Sequence, residues 1–195
     1  MKTPFLRTVI AIVRKDLRAE LRSRELISSM ALFALLSILV FSFSLELDRE
    51  ARESAISGVL WVTVIYASTI GLNRSMAMER EQANLDGMLI APVDRTAIFF
   101  GKLLGNLIFT VVVGLILLPI MTVLYNKSLI MPLVLAIMML GIVGFSTVGT
   151  LLATMTVQTR ARESLLPIVM LPITLPMMLA AVRATTGLLS GSPTD

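Results

Sequence analysis

The sequence predicts an all-α fold: a polytopic bundle of transmembrane helices, preceded by an N-terminal amphipathic helix lying in the membrane interface. Three observations carry this. Hydrophobic residues make up 56% of the 195 and charged residues only 15%, against about 45–50% and about 25% in soluble domains; mean hydropathy is +0.87. The charges are clumped, leaving uncharged runs of about 20 residues or more, the length that crosses roughly 30 Å of hydrocarbon. Lysine and arginine alternate between dense and sparse in successive segments between these runs. An outer-membrane barrel would instead show alternating segments of about ten residues.

Residues 4–25 read as the amphipathic helix, with Pro4 near its start, where a missing N–H costs nothing. At 100° per residue, Leu6, Val9, Ile10, Val13, Leu17 and Leu21 share one face, and Arg7, Arg14, Lys15, Arg18 and Arg22 the opposite one. That pattern places the apolar side in lipid and the basic side toward anionic headgroups. Asp16 and Glu20 interrupt the edge of the apolar arc. Glu20 stands four residues before Arg24, at intrahelical pairing distance; the other reading is that the acids face a protein partner.

Five spans follow, near 26–45, 54–73, 103–126, 131–157 and 164–182. The first is too long for a signal-peptide core and has no small-residue cleavage site after it, so it is expected to remain. Segment 184–195 reads as an outside loop. An odd number of spans with a loop-like end leads to the expectation that the chain is truncated before a sixth helix. Counted over alternate segments, thirteen of the 17 lysines and arginines fall on the side of the N-terminus, which the positive-inside rule makes cytoplasmic. The net charge of +4 is then a topology signal. No basic stripe with interleaved aromatics exists, which argues against nucleic acid as a partner.

The segment 74–102, between spans two and three, is a cytoplasmic loop with internal order. Glu79, Arg80, Glu81 and Gln82 are helix formers of mixed charge, and Gly87 is a helix stop. Leu85 and Asp86 precede that stop, a short apolar run follows it, and 91–94 form a turn. Asp94 is placed to cap a helix opening at Arg95. Gly101 and Gly105 then stand four apart, a spacing that lets helices approach closely. A charged helix and an apolar run held between two spans make a lever that fits a groove on a soluble subunit; the plainer alternative is an ordinary solvated loop.

Inside the membrane the sequence offers no catalysis. There are no histidines or cysteines, which removes imidazole acid–base chemistry, His–metal sites and thiolates, and no P-loop that would hydrolyse ATP. The uncharged cores hold no ionisable relay. The 13 methionines read as packing filler. Pro167, Pro172 and Pro176 each remove a backbone donor from the fifth span, which is therefore expected to kink and to pack against protein. Gly141, Gly144 and Gly149, with Ser146, Thr147 and Thr150, give the fourth span a surface for close packing. The functional reading is a gate between spans four and five; static packing is the alternative.

The loop sequence from Asn84 to Arg95 with Gly101 and Lys102 resembles the permeases of the ABC-2 transporter class. More narrowly, the stretch from Lys15 to Glu25, the run Arg160-Ala161-Arg162-Glu163 with Leu165-Leu166-Pro167-Ile168, and the Pro172/Pro176 pair resemble the haem exporter protein B (CcmB) family. The resemblance implies a non-catalytic permease subunit in the bacterial cytoplasmic (inner) membrane, forming a homodimer and serving cytochrome c biogenesis. It implies a separate CcmA-like ATPase, haem-handling CcmC-like membrane subunits and a CcmE-like haem chaperone as partners. No cofactor would be bound directly: ATP would act through the ATPase and haem through partner proteins. The ATPase-coupling and docking residues it suggests are Glu79, Arg80, Glu81, Leu85, Asp86, Gly87 and Arg95, with Asp16, Arg22, Arg160, Arg162 and Glu163; Pro167, Pro172 and Pro176 would form the kink or gate. An ABC-2 permease exporting a lipid, polysaccharide or drug, and a membrane assembly scaffold without transport, are the other readings.

Overall fold

A computed structural model describes residues 4–45, 49–81, 94–156 and 162–190. They form six helices: α1 (Phe5–Ser23), α2 (Glu25–Ser44), α3 (Arg49–Glu81), α4 (Arg95–Tyr125), α5 (Pro132–Thr156) and α6 (Arg162–Ser190). All but α1 are long and apolar enough to cross a membrane.

Close contacts fix the relative directions. Gly71 of α3 meets Met30 of α2, Gly114 of α4 meets Met138 of α5, and Gly149 and Gly144 of α5 meet Met170 and Met177 of α6. Successive spans are therefore antiparallel. One end of the bundle gathers Glu25, Arg74 and Arg95, where Glu25 and Arg74 form an ion pair. The other end holds Lys127 and Glu53, 3.5 Å apart.

The α3 helix lies at the centre, touching every other span. One apolar cluster joins α2, α3, α4 and α5 through Met30, Ile38, Leu60, Leu117, Met121 and Met138. A second joins α3, α5 and α6 through Ile65, Leu72, Phe145 and Met170. Between them the outer edge of the Trp61 ring of α3 meets α5 where Gly141 leaves room: a Cβ there would fall 2.2 Å from the ring. The indole Nε1 donates to Thr185 Oγ1 of α6 at 3.0 Å, and that hydroxyl donates in turn to Ala181 O. Asn106 Nδ2 donates to Thr150 Oγ1 at 3.3 Å, linking α4 to α5. The glycine surface expected of the fourth span is thus the packing surface of α5, and its methionine neighbours fill irregular gaps as thioethers do.

Helix ends depart from the hydropathy reading in three places. The fifth span does not stop at 182: α6 runs to Ser190, so 184–190 are helical and Thr185 is buried. A single exposed arginine, Arg183, breaks an apolar window but not a helix, because its long stem lets the charge reach the surface. The α3 helix overruns its predicted span at both ends, and its last turn takes in Glu79–Glu81; α4 opens at Arg95 as the Asp94 cap indicates, so the described part of 74–102 is helix except for Asp94. The three prolines lie within α6 without ending it. Pro172 and Pro176 are exposed and Pro167 only half-buried, so at those two positions the expected packing against protein is not found within this chain.

Candidate functional site

At the end of the bundle that carries Arg74 and Arg95, four helices meet in one joint. It begins with the elbow between α1 and α2. Arg24 takes a left-handed conformation, φ 55°, and its N–H is bonded to Glu20 O at 2.7 Å. This stops α1 and lets α2 begin at the next residue. The turn aims the Glu20 carboxylate at the free N–H groups of α2, and it accepts from Ile27 N at 2.8 Å and Leu26 N at 3.2 Å. A carboxylate there satisfies orphan donors and meets the positive end of the helix dipole. Glu20 is accordingly buried. It neither pairs along its own helix with Arg24 nor faces outward.

The second fastening joins α1 to α4. Gly101 brings α4 so close that a Cβ would stand 2.8 Å from Ile12 Cβ, and a Cβ on Gly105 would meet the Asp16 carboxylate at 3.4 Å. The spacing expected to permit close packing is the seat of α1. Beside it, Lys102 Nζ lies 2.8 Å from Asp16 Oδ2 with its side chain only 3% exposed. Lys15 Nζ lies 3.2 Å from Asp16 Oδ1. Asp16, suggested as a residue for docking a partner, is instead committed inside the chain. A buried lysine demands such a counter-charge, since an unpaired ammonium in low dielectric is far costlier than the pair.

The third fastening brings in α3. Ser75 and Met78 line a small cavity of about 60 Å³ with Lys15, Asp16, Glu20, Leu26 and Phe109. The Arg74–Glu25 ion pair closes α3 onto the start of α2. Phe5 and Phe100, with ring centroids 5.9 Å apart, close the other edge of the joint. Asp94 Oδ1 accepts from Thr96 N at 3.1 Å and caps α4, as the sequence indicates.

The other suggested residues divide. Glu79, Arg80 and Glu81 form the last turn of α3, with side chains outside the description. Leu85, Asp86 and Gly87 lie in 82–93, and Arg160 in 157–161, both outside the described residues. Arg162 and Glu163 open α6, again without described side chains. Arg22 and Arg95 are exposed near the joint. Pro167 lines an apolar cleft of about 460 Å³ between α3 and α6, with Tyr66, Thr69, Phe145 and Met170 among its walls. Lys102 and Glu20 are residues of the joint that the sequence does not single out as functional. Their signal was present but weak: a lone charge one turn inside an apolar run, and an acid on an apolar arc.

Fold and joint together define a class: a multi-pass helical membrane protein whose interfacial helix is fixed by charge and close packing to two of its spans. Comparison with known proteins narrows this. Residues 7–193 match the family model described as CcmB protein, and the chain belongs to that family. It is 27% identical over 170 residues to "Heme exporter protein B" of Rhodobacter capsulatus, covering 87% of this chain and 78% of that protein. It is 21% identical over 175 residues to "Heme exporter protein B" of Pseudomonas aeruginosa, covering 89% and 78% respectively.

Proposed function

We propose that this chain is the permease subunit of an ABC transporter that exports haem for cytochrome c biogenesis in a bacterial inner membrane, with its N-terminus cytoplasmic. Family membership and the name shared by its relatives support the haem reading. The lysine and arginine asymmetry supports the orientation. In this reading a CcmA-like ATPase docks on the cytoplasmic side, against the segment that runs from Glu79 through Leu85, Asp86 and Gly87 to Arg95. CcmC-like subunits and a CcmE-like chaperone handle the haem, and two copies of this chain form the permease. A polypeptide without histidine or cysteine leaves imidazole and thiolate ligation of haem to those partners.

The observation that carries the coupling reading is the joint. The helices on either side of 82–93 are α3 and α4; α4 is fastened to α1 by Lys102–Asp16 and the Gly101 seat, and α3 to α2 by Arg74–Glu25. A push on that segment is therefore delivered to four helices together. A force on a free loop would be absorbed by the loop.

The test is twofold. Tagged full-length protein, extracted in mild detergent, recovers an ATPase subunit, and Glu79→Lys or Gly87→Pro leaves membrane insertion intact while c-type cytochrome levels fall sharply. Normal cytochrome levels in both variants would remove the coupling role. A cysteine placed at Ser54, in a chain with none of its own, reacts only with reagent supplied from outside the cell; labelling from the cytoplasm would reverse the orientation.

A further inference from the structure

The joint has a consequence for the opposite side of α1. In the structure the apolar arc of this helix is split in two. Thr8, Val9, Ile12, Asp16 and Glu20 are buried or half-buried against the bundle. Leu6, Ile10 and Leu21, exposed by 70%, 63% and 76%, face away from it. The basic sector comes next around the wheel. Arg14 and Arg7 directly border Ile10 and Leu21, and Arg18 and Arg22 lie just beyond; all four are exposed. The helix thus has three sectors, for protein, hydrocarbon and water, and the guanidinium groups sit on the border between the last two.

The second observation is one of charge. The acids of α1 are Asp16 and Glu20. Asp16 is spent on Lys102 and Lys15, and Glu20 on the N-terminus of α2. Among the described residues no ion pair involves Arg7, Arg14, Arg18 or Arg22. Four positive charges along one helix flank thus have no acidic partner among the described residues, beside an exposed apolar strip.

We propose that this outer sector of α1 binds anionic phospholipid headgroups. The occupant follows from charge complementarity and from position. An exposed Leu6/Ile10/Leu21 strip belongs in acyl chains, and arginines at its edge then lie at the depth of the lipid phosphates, where a planar guanidinium holds phosphate oxygens in pairs. An acidic protein surface would satisfy the charges but would leave that strip in water. Because α1 is fastened on its inner side, the sector is held in place and needs no partner subunit to form. This inference is independent of what the protein transports.

The test uses the full chain in nanodiscs of phosphatidylcholine doped with spin-labelled phosphatidylglycerol or, in a parallel sample, spin-labelled phosphatidylcholine. The wild-type protein immobilises the anionic lipid preferentially. The preference falls by roughly fivefold for each arginine lost in Arg14→Gln and Arg18→Gln, and it weakens as salt is raised. Arg14→Lys/Arg18→Lys, which preserves charge and insertion signals, keeps most of it. Equal immobilisation of the two lipids by the wild-type protein overturns the proposal. So does a wild-type preference that Arg14→Gln and Arg18→Gln both leave unchanged, or one abolished when the ATPase subunit is added and the arginines cross-link to its acidic residues.

Discussion

At the joint, α1 is held to α4 by an ion pair between Asp16 and a buried lysine; at the central seam, α3 is held to α5 and α6 by a tryptophan ring seated on a glycine and one neutral hydrogen bond. The two regions differ because their solvents differ. The joint lies at the charged end of the bundle, where a buried lysine is balanced by its counter-charge and one carboxylate serves two cations. The seam lies within the apolar lengths of three spans, where a charge is expensive and apolar association gains little from leaving lipid. There, close approach and shape do the fastening. This chain therefore adds charge-based contacts to close packing at the charged end of its bundle, and relies on small-against-large packing and neutral hydrogen bonds along its spans.

Three substitutions probe this difference, in descending order of effect. Lys102→Met should be the most damaging. It leaves the Asp16 carboxylate in a half-closed site with Lys15 as its remaining cation, and the cost of breaking a buried pair is about 3–5 kcal/mol, with Lys15 drawing the value toward the lower figure. Denaturant titration in detergent should show it, and adding Asp16→Asn should recover much of the loss. Failure of the second change to help would mean that Lys102 acts through packing and not through charge.

Gly141→Ala comes next. The new methyl would stand 2.2 Å from the Trp61 ring, with other ring atoms at 2.5 and 3.3 Å, so α3 and α5 must separate, at about 1–3 kcal/mol. No second charge substitution should rescue it. A stability equal to wild type would show that the ring can turn aside. The smallest effect belongs to Trp61→Phe, which keeps most of the ring but removes the donor to Thr185. A neutral hydrogen bond contributes about 1 kcal/mol, and Thr185 retains its own bond to Ala181 O, so a shift of about that size or less is expected in the same titration.

Some of this was legible before any coordinates. Hydropathy locates the five spans because twenty uncharged residues have few other uses. The Asp94 cap and the Gly101/Gly105 seat are local signals, readable from spacing alone. The ends of α3 and α6 were not legible. A hydropathy window closes at Arg74 or Arg183, whereas a helix closes only where its backbone hydrogen bonds end, and neither arginine interrupts those. The joint was also hidden. Asp16 and Lys102 are 86 residues apart, and from sequence an acid on an apolar arc looks equally like a mate for a nearby arginine or a contact for another protein. Glu20 misleads in the same way: a matching arginine stands one turn on, yet its carboxylate turns to the backbone of the next helix because the left-handed Arg24 brings the N–H groups of Leu26 and Ile27 within reach.

Trp61 is the chain's sole tryptophan, and it is 1% exposed at the contact of three spans. Nature has thereby left a single indole where α3 meets α5 and α6. Excited at wavelengths that the two tyrosines do not absorb, its emission reports on one seam. Wetting of that interface would register as a red shift of the indole spectrum, and an approaching quencher in the acyl chains would dim it. Motions of this bundle can thus be followed optically in unlabelled protein, on the timescale of the instrument.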